Sequence, residues 1–483
     1  MSFLKERKNI LKDTSRYTIS SFIVQAIGIV TAIIVRRGLG PALMGVWELL
    51  KVILQYSLYS DLGISAVAYR DIPYQLGKDN KEEATKIKNV CFTYTIGVSI
   101  LISLGLIVWS FCCAGRYPIQ MTIGIRIVGL ILILTSVYNF YITMLRAHKN
   151  FIILSRVIVI NALLMLGGAF YFIPRMNIYG MFLTVCLASI LCTGYIYIST
   201  KYRIKLFFEA KEFMYMLKTG VPMLLSGMGF VFLLSIDKVM IAKFLGFEAV
   251  GLYTIAAMAI MTIFTIPKSF GIVFFPSMQE HYGRTDDIQE LRSYLVHPLW
   301  SIVTIMPLFI GVSYYLIPVI VRAVLPKYVP GIEAFKVLMW GAPFLCASYP
   351  SSIFFITINK QMRLAKLSFF IIIASLGIIY LFIQKGAWIS GVALGMSISY
   401  LIYFLVLTVD SLKNVMAWGK IAKTVLIVVL TCVYYLICIV VVDKTVSNGN
   451  YVLEAFFRTG IFLLLGGIFL TIVNKMNFDL EKV

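Results

Sequence analysis

The chain has 483 residues, 60% of them hydrophobic and 13% charged, with a formal net charge of +21 and a mean hydropathy of +0.91. Soluble domains run at about 45–50% apolar and about 25% charged, so the composition excludes a water-soluble globular protein and calls for lipid as solvent. The positive charge does not imply nucleic acid: the aromatics lie inside apolar runs, no nucleic-acid-binding module is visible, and basic residues collect in the cytoplasmic loops of membrane proteins.

Residues 1–16 are polar and basic. Apolar runs follow at 17–36, 43–69, 90–113, 119–145, 152–173, 179–199, 219–243, 250–278, 294–324, 333–357, 367–384, 388–409, 421–442 and 456–474. Each is close to the roughly 20 residues that span a bilayer as helix, and too long for barrel strands of about 10 alternating residues. The expected fold is all-α, integral to the membrane, with about fourteen transmembrane helices. The first run is full length, so it is read as its own insertion signal and not as a removable leader.

Lysines and arginines set the orientation. With the N-terminus inside, 28 of the 43 fall in cytoplasmic segments and 9 on the other side. Both termini are therefore expected in the cytoplasm. In the longest inner connection, Leu206, Ala210, Phe213 and Leu217 would share one face of a helix, and its basic flanks predict a helix lying in the interface. The eight cysteines sit in or beside apolar runs without Cys-x-x-Cys spacing, and are read as packing residues. His148, His281 and His297 lie near loops, and no metal site is expected.

An internal repeat organises the chain. Leu39-Gly40-Pro-Ala-Leu-Met-Gly45-Val46-Trp47 matches Leu245-Gly246-Phe-Glu-Ala-Val-Gly251-Leu252-Tyr253 at an offset of 206, with Arg37 and Lys243 preceding at the same step. The register persists to Gly77-Lys78 and Gly283-Arg284. Each motif falls at the outer turn between the first two helices of a six-helix half, so the repeats run parallel. The resulting organisation is an N-lobe over 1–200 with helices 1–6, a cytoplasmic interfacial linker helix over 201–218, a C-lobe over 219–410 with helices 7–12, and two further helices with a cytoplasmic tail over 411–483. Two such bundles facing each other across a cleft are the architecture of alternating access.

The tract Ser235-Ile-Asp237-Lys-Val-Met-Ile241 through Gly251-Leu-Tyr253 resembles the seventh and eighth helices of Wzx-type polysaccharide-repeat flippases. These belong to the superfamily of multidrug, oligosaccharidyl-lipid and polysaccharide exporters. Arg37-Gly-Leu-Gly40 through Gly45-Val-Trp47, Gly180 and Gly391 match the same family, and the resemblance covers helices 1–12. It implies a V-shaped, MATE-like pair of lobes. It also implies translocation of undecaprenyl-diphosphate-linked oligosaccharide repeat units from the cytoplasmic to the outer leaflet of the bacterial cytoplasmic membrane, for O-antigen or capsule synthesis. The implied partners are the polyprenyl-diphosphate-linked oligosaccharide, membrane lipids, a polysaccharide polymerase and a chain-length regulator. Helices 13 and 14 also occur in related peptidoglycan-precursor flippases.

A charge inside a span costs roughly 2.5–3.5 kcal/mol on insertion scales and needs a reason. Arg126, Lys268, Lys51 and Lys238 are the candidate contacts for an anionic headgroup, because guanidinium offers phosphate a planar fork and ammonium a mobile point charge. Tyr56, Tyr59 and Tyr138 could contact sugars. Structural readings stand beside these: Lys51 can pair with Glu48 at i, i+3, and Asp237 with Lys238. Pro267, next to Lys268, can act as a hinge or a fixed kink. Asp237 and Asp61 are the candidate seats of a coupling proton or sodium ion.

No Walker motif is present and no cofactor is expected; the energy source would be the membrane potential, with an H+ or Na+ gradient in support. A cation-coupled small-molecule exporter of the same fold competes with this reading. So does a membrane enzyme, although no loop is long enough to carry a catalytic domain.

Overall fold

Hydrocarbon offers a backbone N–H or C=O no partner outside the chain, and the described residues answer with helix: none is strand. The structure, a computed structural model, describes the backbone of residues 2–112, 115–200, 202–445 and 451–480. In order the helices are α1 (Ser2–Leu58), α2 (Ile64–Gly77), α3 (Lys81–Cys112), α4 (Ile119–Ala147), α5 (Phe151–Met176), α6 (Ile178–Ser199), α7 (Ala210–Leu233) and α8 (Ile236–Phe244). They continue with α9 (Phe247–Thr285), α10 (Arg292–Val324), α11 (Ile332–Ala347), α12 (Tyr349–Thr357), α13 (Gln361–Gln384), α14 (Trp388–Leu412), α15 (Trp418–Thr445) and α16 (Tyr451–Leu480).

Thirteen helical stretches among the described residues are long and apolar enough to cross a membrane. The first, Ser20–Asp61, holds 42 residues, about 63 Å of helix and twice the roughly 30 Å hydrocarbon core. At Gly40 (φ 70, ψ 173), just before Pro41, its helical path is interrupted. Two spans lie back to back there, so each of the fourteen expected spans has a helical counterpart.

The backbone itself repeats. Gly40 and Gly246, Asp79 and Asp286, Lys149 and Asn359, and Asn177 and Gly386 all have positive φ, and the members of each pair are 206, 207, 210 and 209 residues apart. They occupy corresponding turns of the two halves. Positive φ costs a residue with a Cβ roughly 1–2 kcal/mol, and five of these eight residues carry one, so four pairs at offsets of 206 to 210 mark the same chain path taken twice.

The chain divides into two compact units, Met1–Met228 and Gly229–Val483. The core of the first is built by Ile64, Val67, Ile87, Val90, Phe140, Leu145, Leu154 and Ile196. Small hydroxyls join its helices: Ser99 Oγ donates to Ser136 Oγ at 2.7 Å, and Ser110 Oγ to the Thr122 carbonyl at 3.0 Å. In the second unit Phe335, Phe354, Phe355, Tyr403 and Phe404 are fully buried. Ser397 Oγ donates to the Val337 carbonyl at 2.9 Å, and Ser411 Oγ to Ser351 Oγ at 3.0 Å. Such bonds bind helices where lipid tails compete with every apolar contact. Arg363 clasps Asp410 with two bonds of 2.7 and 2.6 Å where α13 begins and α14 ends. The seven described cysteines are free; Cys113 lies outside the described residues.

Three spans are interrupted where the hydropathy is continuous. Span seven breaks between α7 and α8 at Ser235, whose Oγ takes the Val231 carbonyl at 2.7 Å; span ten breaks between α11 and α12 at Ser348, whose Oγ takes the Leu345 carbonyl at 2.7 Å. Span two breaks after α1 in a 3-10 turn, Tyr59–Asp61, followed by Leu62 (φ 51) and Gly63 (φ 79). The Asp61 carboxylate accepts the Gly63 N–H at 2.9 Å. There the backbones of α2 and α7 meet without an intervening side chain: a Cβ on Gly63 would lie 2.2 Å from the Gly220 carbonyl oxygen. About two turns further along α2, Asp71 is buried. It holds Arg70 Nε at 2.6 Å and the Tyr215 hydroxyl of α7 at 3.0 Å.

The linker expected as a helix over 201–218 is corrected. Residues 202–209 have no regular structure, and helix begins at Ala210. The reason is a competing set of hydrogen bonds. The Lys205 N–H goes to Asn89 Oδ1 at 3.3 Å, the Phe207 N–H to Thr93 Oγ1 at 2.9 Å, and Lys88 Nζ to the Arg203 carbonyl at 2.8 Å. Two extended residues advance about 6.6 Å and four helical residues about 6 Å, so alternate N–H groups of the segment meet α3 side chains one turn apart. Leu206, Phe207 and Phe208 remain exposed. His148 stacks on Tyr202 at 4.7 Å; burial first, then Lys88, pushes its imidazole below the ordinary value.

Two outcomes follow. Gly63→Ala and Gly220→Ala should each destabilise the detergent-solubilised protein by about 1–3 kcal/mol through overpacking. Gly28→Ala, where a Cβ meets nothing within 4 Å, should be neutral or stabilising; equal melting temperatures for all three would refute the contact. Replacing Asn89 by Ala and Thr93 by Val removes two bonds of about 1 kcal/mol each, and should speed tryptic cleavage at Arg203 and Lys205 about tenfold or more.

Candidate functional site

The charged residues inside the spans divide by whether a carboxylate already holds them. In the first unit Lys51 Nζ sits 2.6 Å from Glu48 Oε1, one turn back on α1, and Glu48 is buried. Helical spacing at i, i+3 dictates this pair, and Glu48 needs it because an unpaired buried carboxylate is costly. Arg126, seven residues into α4, is half-buried. Its Nε donates to Ser110 Oγ at 3.0 Å, and the guanidinium lies 4.0 Å from the centre of the Phe111 ring. These are contacts to the end of α3, and no carboxylate neutralises Arg126 among the described residues.

Close packing sets the depth of these two cations. A Cβ on Gly124 of α4 would lie 2.5 Å from Leu50 Cδ1, so residues 126 and 51 stand at about one level. Their heads part: Arg126 turns to α3 while Lys51 turns back along its own helix. Asp61 lies in the break after α1, where its carboxylate terminates the turn. Tyr56 and Tyr59 are half-buried in the same region, and Tyr138 packs against the core of the unit.

In the second unit Asp237 is 2% exposed in the first turn of α8. Its Oδ1 accepts the Lys238 N–H at 2.7 Å, and the positive end of the helix dipole favours the carboxylate. Tyr253 and Tyr400, both buried, are its electrostatic neighbours. The Tyr253 hydroxyl, close to Asp237, completes no hydrogen bond of good geometry. Lys238 is half-buried beside the carboxylate. Lys268, after Pro267 on α9, is exposed and has no ion pair or hydrogen bond among the described residues. Helix α9 runs unbroken through Pro267.

Of the four candidate cations, then, Arg126 in the first unit and Lys268 in the second have no carboxylate partner among the described residues. Lys51 and Lys238 each have an acid at hand. Sequence reasoning named all four, with Arg126 first and Lys238 last, but could not separate Lys268 from Lys51, because pairing depends on side-chain direction. It also passed over Tyr400, whose place beside Asp237 comes from α14. Tyr253 was within reach, as the aromatic of the repeated Leu-Gly-x4-Gly motif. Lys336, outside these four, lines a cavity of about 150 Å3 with Arg322, Arg458 and three tyrosines.

A family model described as "Polysaccharide biosynthesis protein" matches residues 34–330, a stretch that includes both glycine motifs, Arg126, Asp237 and Lys268. No curated protein matches the chain. Among solved structures, an inward-facing multidrug resistance MATE family transporter of the MOP superfamily aligns with a TM-score of 0.69 and 16% identity, over 85% of this chain and 98% of that one. The lipid II flippase MurJ, in an inward closed conformation, aligns with a TM-score of 0.68 and 16% identity over 95% and 99%. A MOP superfamily transporter from Pyrococcus furiosus Vc1 gives 0.61 and 15% over 86% and 96%. These likenesses show a shared MATE-like fold. The family model covers well over half of the chain, and the chain belongs to the polysaccharide biosynthesis protein family.

Proposed function

We propose that the protein is a flippase that carries polyprenyl-diphosphate-linked oligosaccharide repeat units, of the kind used for O-antigen or capsule, from the cytoplasmic to the outer leaflet by alternating access. The observation that carries the reading is the family match over residues 34–330 on a duplicated, all-helical membrane fold. The extent of the structural likeness adds to it: the lipid II flippase aligns with 95% of this chain, the multidrug transporter with 85%. The loop charges support a bacterial cytoplasmic membrane location with both termini inside. A polymerase and a chain-length regulator are the partners such a product requires.

In this reading Arg126 and Lys268 meet the diphosphate, since they carry positive charge without a carboxylate to cancel it. Lys51 and Lys238 lend longer-range attraction. No ATP is needed: outward movement of two negative charges from an inside-negative cell gains about 5 kcal/mol per 100 mV. A returning proton or sodium ion would take Asp237 before Asp61, because Asp237 is buried beside Tyr253 and Tyr400 while Asp61 is only half-buried. The competing reading, a cation-coupled small-molecule exporter, draws on the equal TM-score of the multidrug transporter; the uncancelled cations weigh against it.

Two measurements test this. Arg126→Glu and Lys268→Glu should each lower surface polysaccharide at least about tenfold, the cost of turning one charge-assisted phosphate contact into a repulsion, while the protein still inserts. Normal export in both would remove them from the substrate path. Asp237→Asn should slow flipping driven by an imposed ion gradient and leave potential-driven flipping in place, with Asp61→Asn nearly silent. An unchanged gradient response in the double variant would exclude both carboxylates as ion seats.

A further inference from the structure

At the end of the second unit where α10 finishes and α16 begins, Arg322, Lys336, Glu454 and Arg458 line one cavity, and Asp443 adjoins it through Arg458. Arg458 is paired with both acids. Its Nη1 takes Asp443 Oδ1 at 2.9 Å, its Nη2 takes the Asp443 carbonyl at 3.1 Å, and Glu454 lies against the same guanidinium. The other Asp443 oxygen accepts the Tyr314 hydroxyl at 3.1 Å. Both acids are thus held by one arginine and a tyrosine.

Two cations remain. Lys336 is half-buried, and its ammonium stands 4.7 Å from the centre of the Tyr314 ring. Arg322 stands 5.9 Å from the Tyr451 ring. Asp443, Arg458, Arg322 and Glu454 all lie within electrostatic reach of Lys336, but no acceptor takes its three N–H donors among the described residues. Residues 446–450, between α15 and α16, add no charged side chain. Three cations against two acids leave the cavity at a net +1.

We propose that this cavity is a binding site for a phosphate ester. Its volume of about 150 Å3 equals roughly five waters at about 30 Å3 each, enough for a phosphoryl group and the start of its ester. Arg322 supplies a planar fork and Lys336 a point charge. Tyr314, Tyr315 and Tyr451 offer rings, the hydroxyls of the first two being donated to Asp443 and to the Ile439 carbonyl, and Pro318, Val319 and Ile332 form an apolar side for the esterified carbon. The site is built by α10, α11 and α16 within the second unit, so it is separate from Arg126 and does not rest on the flippase reading. The ester is a membrane lipid headgroup or a soluble phosphate, and the two sources can be told apart.

The test is thermal unfolding of the purified full-length protein in a neutral detergent, titrated with phosphatidylglycerol, phosphatidylcholine or inorganic phosphate. The expected result is a saturable rise in melting temperature with phosphatidylglycerol, and an apparent affinity weakened about tenfold or more in Lys336→Gln and in Arg322→Gln. Lys327→Gln, at the same end but outside the cavity, should bind as wild type. A matching rise with inorganic phosphate assigns a soluble phosphate; a rise with either lipid and none with inorganic phosphate assigns a headgroup. No rise with any probe, or variants that bind as wild type, overturns the site. Arg322 is exposed, so its variant keeps the test decisive if the Lys336 variant does not fold.

Discussion

Everything in this molecule answers to one constraint: a peptide group inside hydrocarbon must find its hydrogen bond within the protein. Helix satisfies that demand locally, which is why the described chain contains no strand. Where helix is interrupted, something else supplies the bond. Ser235 and Ser348 turn their hydroxyls back on the preceding turn, and Asp61 accepts the N–H of Gly63. The breaks are places where polar side chains have been committed to the backbone.

Duplication organises what the solvent permits. The same turns recur with the same left-handed residues about 206–210 positions apart, so the second half repeats the first at the level of chain path even where side chains differ. That difference is where function has room. Lys268 stands 206 positions after Leu62, so a bare cation in one half corresponds to an apolar residue at a helix break in the other. The halves share a frame and diverge in charge.

Fold class, span number and the repeat were legible in the sequence because each rests on composition or periodicity over long windows. The 42-residue helix through Gly40 was read correctly as two spans because glycine and proline mark the turn. What failed were features decided by partners distant in sequence. The 201–218 segment has a helical apolar pattern, yet Asn89 and Thr93 hold its first part extended from more than a hundred residues away. The break at Asp61–Gly63 carries no hydropathy signal; it is made by an approach to Gly220 that only the folded chain contains. Site residues were legible as types. Separating Lys51 from Lys268 required knowing that Lys51 turns to Glu48 and that Lys268 has no ion pair or hydrogen bond among the described residues.

The extended stretch ahead of α7 has a mechanical meaning. A chain fastened at alternate peptide groups cannot be drawn out gradually; it comes away stepwise, one rung at a time, each release exposing an Asn89 or Thr93 acceptor to be filled by water. The strap therefore resists small tugs on the start of α7 and yields abruptly to large ones, behaving as a detent more than as a slack cord. Any displacement of α7 relative to α3 must first slip that catch.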